Sequence, residues 1–142
     1  VIERMHAPRL LLALARLGIV AVVVTACAGA DQVAPNTAFT TLMPGWESKF
    51  SVEWNVQSVA DGSRIVYGRV TSRYGQYAEP FTLLGQALDS ADQIVDQRVQ
   101  RVPGGVPGFT TTYFQFVRMA AADHYKVTVW SYSFIEERGI VQ

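Results

Sequence analysis

Phe50-Ser51-Val52-Glu53-Trp54-Asn55-Val56-Gln57 alternates apolar and polar side chains across its whole length. Successive side chains of a β-strand point to opposite faces, so this period of two predicts a half-buried strand. Phe50, Val52, Trp54 and Val56 would face inward. Reading on from it, Asp61-Gly62 supplies a turn, and residues 63–73 carry Ile65, Tyr67 and Arg69 on one face and Val66, Gly68 and Val70 on the other. Residues 74–79 read as a loop ended by Pro80, and 81–88 as a third strand. Residues 89–92 form a turn, and 93–101 a fourth strand with Ile94 and Val95 as its anchors. Pro103-Gly-Gly-Val-Pro-Gly108 breaks the chain, and 109–118 and 125–136 supply a fifth and a sixth strand. Six to seven short antiparallel strands at spacings near ten residues, with no amphipathic helix, predict an all-β sandwich.

Ala121-Ala122-Asp123-His124-Tyr125-Lys126-Val127 is the most informative local stretch. In immunoglobulin-like sandwiches a tyrosine opens a late strand after a short turn, and its hydroxyl bonds back to upstream backbone. Asp123 and Tyr125 match that structural corner. Val127 stands where antibody domains carry a cysteine, so the predicted sandwich relies on packing instead of a cross-link.

Upstream the chain changes character. From Met5 it carries positive charge at Arg9 and Arg16, and from Leu17 it runs ten residues without a charge, Leu-Gly-Ile-Val-Ala-Val-Val-Val-Thr-Ala. A charged stretch followed by a short apolar run is the layout of a secretory signal peptide. Ten residues are too few to cross a hydrocarbon core that needs about 20. Val1 to Arg4 is either an alternative start or upstream sequence. Residues 1–26 are therefore read as a signal peptide. Removing Arg4, Arg9, Arg16 and Glu3 with it takes the 12 basic and 12 acidic residues to 9 and 11. A near-neutral, faintly acidic remainder lacks the clustered Lys and Arg that nucleic acid requires, so no nucleic-acid partner is expected. The three Trp, six Tyr and seven Phe lie beyond the leader, enough to fill a compact core.

The apolar run ends at Val24-Thr25-Ala26-Cys27, and Cys27 is the single cysteine of the sequence. This resembles the lipobox of bacterial lipoprotein precursors: a branched residue, a small residue and Ala or Gly before an invariant cysteine. The resemblance implies cleavage before Cys27, a thioether from its sulfur to diacylglycerol, and acylation of the new amino terminus. Two or three acyl chains anchor a protein stably where one is marginal. Ala28 in place of Asp after the cysteine favours the outer membrane by the sorting rule of enteric bacteria. Residues 27–45 are small, polar and punctuated by Pro35 and Pro44, the composition of a flexible tether. Phe39, Leu42 and Met43 are the apolar exceptions that could dock on the domain, which is assigned to 46–142.

The domain itself is similar to small envelope lipoprotein domains of the FxLYD type. The matching residues are Gly68-Arg69-Val70, then Phe81-Thr82-Leu83-Leu84-Gly85-Gln86-Ala87-Leu88-Asp89, Pro107-Gly108, and Tyr125-Lys126-Val127-Thr128-Val129. Leu84-Gly85 stands where that family has Tyr-Asp. The resemblance implies an immunoglobulin-like fold and no catalytic residues.

The residue inventory agrees with a non-catalytic role. His124 is the only imidazole left once His6 departs with the leader, and its neighbour Asp123 is poorly placed in sequence to form a catalytic pair with it. A hydrolase built on His124 or on an acidic pair such as Glu47 and Glu53 is the weakest of three readings. Ser131 and Ser133 lack a nucleophile-elbow context. One imidazole and one lipidated thiol cannot make a zinc site, and Asp89, Asp92 and Asp96 lack the loop glycine and spacing of a calcium loop. No metal and no cofactor is expected. For binding, two surfaces stand out. If Tyr125, Val127 and Val129 face the core, Trp130, Tyr132 and Phe134 alternate onto the opposite face as an aromatic stripe suited to sugar rings or a protein. A bulge in the strand, or the linker lying across it, would remove that stripe. Val106 and Phe109, near the tip of the 103–109 loop, form the second surface.

The leading expectation is a membrane-tethered sandwich presenting a surface to an envelope protein partner, and the alternative is a carbohydrate- or peptidoglycan-binding module. Intact mass of protein purified from membranes of a native or related host checks the address. A species starting at Cys27 with diacylglyceryl and acyl mass is expected; a retained leader with a free thiol refutes the assignment.

Overall fold

The computed structural model describes residues 33–136, so the leader, the lipobox residues Val24, Thr25 and Ala26, and Cys27 lie outside the described residues. A short 3-10 helix, Trp46–Ser48, precedes six strands: β1 Phe50–Ser58, β2 Arg64–Ser72, β3 Ala78–Leu88, β4 Ile94–Arg101, β5 Thr111–Met119 and β6 His124–Phe134. They form two three-stranded antiparallel sheets, β1-β2-β5 (sheet A) and β4-β3-β6 (sheet B). This is the all-β sandwich predicted from the alternation. The chain changes sheet three times, after β2, after β4 and after β5, so that β5 pairs with β2 and β6 with β3. Among the described residues the strand order matches the first six strands of an immunoglobulin-like sandwich.

The alternation holds on sheet A except toward the end of β1. There Val56, expected to face inward, is exposed because the core does not extend beneath that end of the strand. Phe50, Val66 and Val70 are buried, and Tyr67 and Arg69 face solvent. Opposite them, Phe81, Leu83 and Ala87 of β3 and Val127 and Val129 of β6 close the core, with Phe114, Phe116 and Met119 of β5. Gly85 leaves room for the Phe116 ring, which a Cβ there would approach to 3.0 Å. Val95, an expected anchor of β4, is exposed as well. The β3–β4 register shifts between Ala87, opposite Asp96, and Leu88, opposite Ile94, which leaves Val95 as the unpaired residue of a bulge.

Turn chemistry fixes the strand ends. The Asp61 carboxylate accepts the Ser63 N–H at 2.8 Å and its hydroxyl at 2.6 Å, and Gly62 takes the left-handed φ of 87° that the turn demands. These Ser63 donors hold the Asp61 carboxyl below its usual range. Asp89 does the same for the β3–β4 turn, accepting the N–H groups of Ala91 and Gln93 at 2.9 Å. At the β5–β6 turn the Tyr125 hydroxyl donates to the Ala120 carbonyl at 2.6 Å and accepts the Ala122 N–H at 2.9 Å. The Asp123 N–H is taken by the Leu88 carbonyl at 3.0 Å.

β5 is an edge strand as well, and β4 covers it with side chains. Gln100 donates to the Gln115 carbonyl at 2.8 Å, and the Arg98 guanidinium donates to the carbonyls of Val117 and Arg118. Free edge carbonyls that would otherwise accept a foreign strand are thereby occupied.

Tyr125→Phe removes both corner hydrogen bonds while keeping the ring. It is expected to cost about 1–3 kcal/mol, read as a lower urea midpoint at unchanged slope; an unchanged midpoint would show that the corner does not stabilise the fold.

Candidate functional site

The predicted aromatic stripe on β6 does not exist as one surface. Thr82 pairs with Ser131 and Leu83 with Val129, so Trp130 is an extra residue with no partner on β3. A one-residue bulge flips every later side chain to the other face. Tyr132 and Phe134 therefore turn into the core side, where Tyr132 meets Phe50 edge-on at 4.9 Å and stacks on Phe81 at 6.0 Å between centroids. Phe134 lies 4.8 Å from Tyr74. Burial raises the Tyr132 phenol above its usual range.

Trp130 points outward from sheet B and is nevertheless 7% exposed. Residues 33–45, assigned from sequence to the tether, belong to the same compact unit as the sandwich, and their first part lies along this face. The Phe39 ring meets Trp130 edge-on at 5.8 Å, and the Leu42 N–H donates to the Trp130 carbonyl at 2.8 Å. Thr128 donates to the Thr40 carbonyl, Gln86 to that of Asn36 and Gln97 to that of Pro35. The Asn36 carboxamide accepts the N–H groups of Ala38 and Phe39 and so shapes the entry to this strap. Leu84, Gln86 and Thr128 are buried although they point away from the main core.

The 103–109 loop is built differently from its sequence reading. Gly104 and Gly105 adopt φ of 74° and 62°, and a Cβ on Gly105 would stand 2.2 Å from the Ala78 carbonyl. Only glycine permits this approach, which lets Val106 exchange two 2.9 Å backbone hydrogen bonds with Ala78. Val106 is thus fully buried and forms no surface. Phe109 is the opposite case. It is 75% exposed and holds a left-handed φ of 53°, a conformation uncommon for a bulky residue. Its N–H is held by the Tyr74 carbonyl at 3.0 Å, and its ring lies over Gly75, where a Cβ would come to 3.1 Å. Tyr74, Tyr77 and Ile135 are also exposed around it. The Tyr77 hydroxyl donates to the Gly104 carbonyl, and the Ile135 N–H donates to the Tyr77 carbonyl. A depression of about 650 Å³ lies beside Phe109, lined by Gly75, Gln76, Tyr77, Gly108, Ile135 and Glu136.

The remaining candidates are dispersed. His124 pairs with Asp92 at 2.9 Å, not with Asp123, and both side chains are exposed. Asp92 has a φ of 59° and closes its turn, with its N–H on the Asp89 carbonyl. Asp96 is half-buried and accepts the Ala120 N–H at 2.9 Å. Among the described residues no group of three His, Cys, Asp or Glu side chains comes together to hold a metal. Glu47 sits in the 3-10 helix and not on β1, apart from Glu53, which is paired with Arg69 at 2.6 Å. Thr71 and Thr111 share a hydroxyl hydrogen bond across β2 and β5. Among the described residues no helix is long and apolar enough to cross a membrane. Comparison with known proteins returned no matching family model, no matching curated protein and no matching solved structure.

Tyr132 predicts an alkaline limit. A phenol whose folded value is raised holds its proton longer than the unfolded chain does. Its contribution is complete below about pH 10 and is lost as pH rises through the raised folded value. Thermal melts between pH 9 and 11 should show this loss, and Tyr132→Phe should diminish it; an equal loss in the variant would assign it to other groups.

Proposed function

We propose that this chain is a lipid-anchored, non-catalytic envelope lipoprotein whose β-sandwich presents its loop end to an envelope protein partner. Phe109 carries the reading. A phenylalanine fixed by its backbone in a left-handed conformation and mostly in solvent, beside the exposed Tyr74 whose carbonyl takes its N–H, is an arrangement suited to an aromatic anchor at an interface. The lipobox residues Val24 to Cys27 supply the address, and the likeness to FxLYD-type domains is consistent with both.

Geometry within the domain agrees with this use. The strap meets Gln86 and Gln97 near the end of the sandwich that holds Asp92 and His124. Phe109 stands at the other end, along β3 strands of 11 residues, about 33 Å away. Five residues separate Cys27 from Val33 and span at most about 20 Å. Anchored at Cys27, the domain would be held close to the bilayer. The outer membrane is the favoured location because Ala28 follows the cysteine.

Full-length protein purified with its lipid and used as bait on detergent-solubilised envelope should retain a reproducible protein partner. Phe109→Ala should reduce that retention about tenfold without changing the unfolding midpoint. Retention that is indifferent to Phe109→Ala, or no reproducible partner, refutes the proposal.

A further inference from the structure

The outer face of sheet A is the one broad sheet surface that no described segment covers, and its composition differs from that of the loop end. The β2–β5 register sets Tyr67 opposite Gln115 and Tyr113 opposite Arg69. The two tyrosines are therefore diagonal neighbours on one face, roughly 7–8 Å apart. Tyr113 is 73% exposed and Tyr67 42%, so neither ring is used to fill the core. They stand as a ridge between two depressions of about 760 and 530 Å³, both of which they line.

The flanks of the ridge are amides. Gln57 and Gln115 line the larger depression and Asn55 the smaller, and all three are exposed. Each amide offers donors and an acceptor. Of the residues lining the two depressions only Arg69 and Glu53 are charged, and they neutralise one another: the Arg69 Nε donates to Glu53 at 2.7 Å. The edge behind Gln115 is fixed, because its carbonyl already accepts from Gln100.

We propose that this face binds an uncharged saccharide chain, with Tyr67 and Tyr113 as stacking platforms and Asn55, Gln57 and Gln115 as hydrogen-bonding groups. A sugar ring has an apolar face bordered by hydroxyls that both donate and accept. Exposed aromatic rings interleaved with amides complement it on both counts. The paired Arg69 and Glu53 leave no net charge to attract an acidic or basic polymer. This inference goes beyond the loop-end reading and uses a different surface, so each can fail alone.

The test uses full-length protein in a detergent without a sugar headgroup, titrated calorimetrically with three probes. These are a hexamer of β-linked glucose, a hexamer of β-linked N-acetylglucosamine and polygalacturonate. At least one neutral hexamer should bind saturably, and the charged polymer should bind more weakly. Tyr113→Ala and Tyr67→Ala should each weaken binding about tenfold, with Phe109→Ala unchanged. Circular dichroism confirms that the variants fold, and Tyr113→Trp, which keeps a platform, should restore binding to a misbehaving alanine series. No binding of either neutral hexamer overturns the proposal. So does binding that survives both alanine variants, or a face whose Tyr113→Ala variant loses a protein partner while sugars never bind.

Discussion

The sandwich depends on the single unpaired residue at Trp130. Before it, odd-numbered residues of β6 face the core; after it, even-numbered ones do. That change lets one strand serve two environments. Val127 and Val129 pack in the aliphatic middle, while Tyr132 and Phe134 join Phe50, Phe81 and Tyr74 in an aromatic cluster at the far end. The displaced residue is itself put to use, because its ring and its carbonyl receive Phe39 and Leu42 from the strap. Remove the bulge and the aromatic end would face solvent, and the strap would lose its seat.

Packing replaces covalent staples throughout. The described core contains no cysteine, and Phe116 fitted against Gly85 supplies close inter-sheet contact where some sandwiches place a cross-link. The corner made by Tyr125 then closes the β5–β6 turn by hydrogen bonding to backbone. Both features leave the sheet edges to be managed separately, and the Arg98 and Gln100 side chains of β4 do this for β5.

Much of this was legible because a two-residue period is a local property. Phe50 to Gln57 read as a strand without knowledge of its neighbours, and the six strand positions followed from turn residues between them. What depended on long-range pairing was not legible. Val127 to Phe134 is compatible with alternation in either phase, since apolar residues occupy both, and the phase is set by β3. The start of β3 was hidden behind Pro80, which is accommodated where the register with β6 shifts between Ala78 and Phe81. Val106 and Phe109 looked alike in sequence, and the Ala78 bridge that separates their fates is formed by a residue 28 positions away from Val106. The alternation put Tyr67 on one face of its strand with Ile65 and Arg69, but its companionship with Tyr113 required the β2–β5 register. The docking of Phe39 and Leu42 had a signal, two large apolar residues in an otherwise small and polar stretch.

The strap also sets a load path. It advances along β6 in step with it, Asn36 by Gln86, Thr40 by Thr128 and Leu42 by Trp130. Traction on Val33 along the strand axis therefore meets these contacts side by side, in shear, so that several must yield together. Force applied through the amino-terminal side is spread over the outer face of sheet B before any strand pairing is strained. A pull on the amino-terminal side would thus be taken up by the strap while the two sheets remain intact.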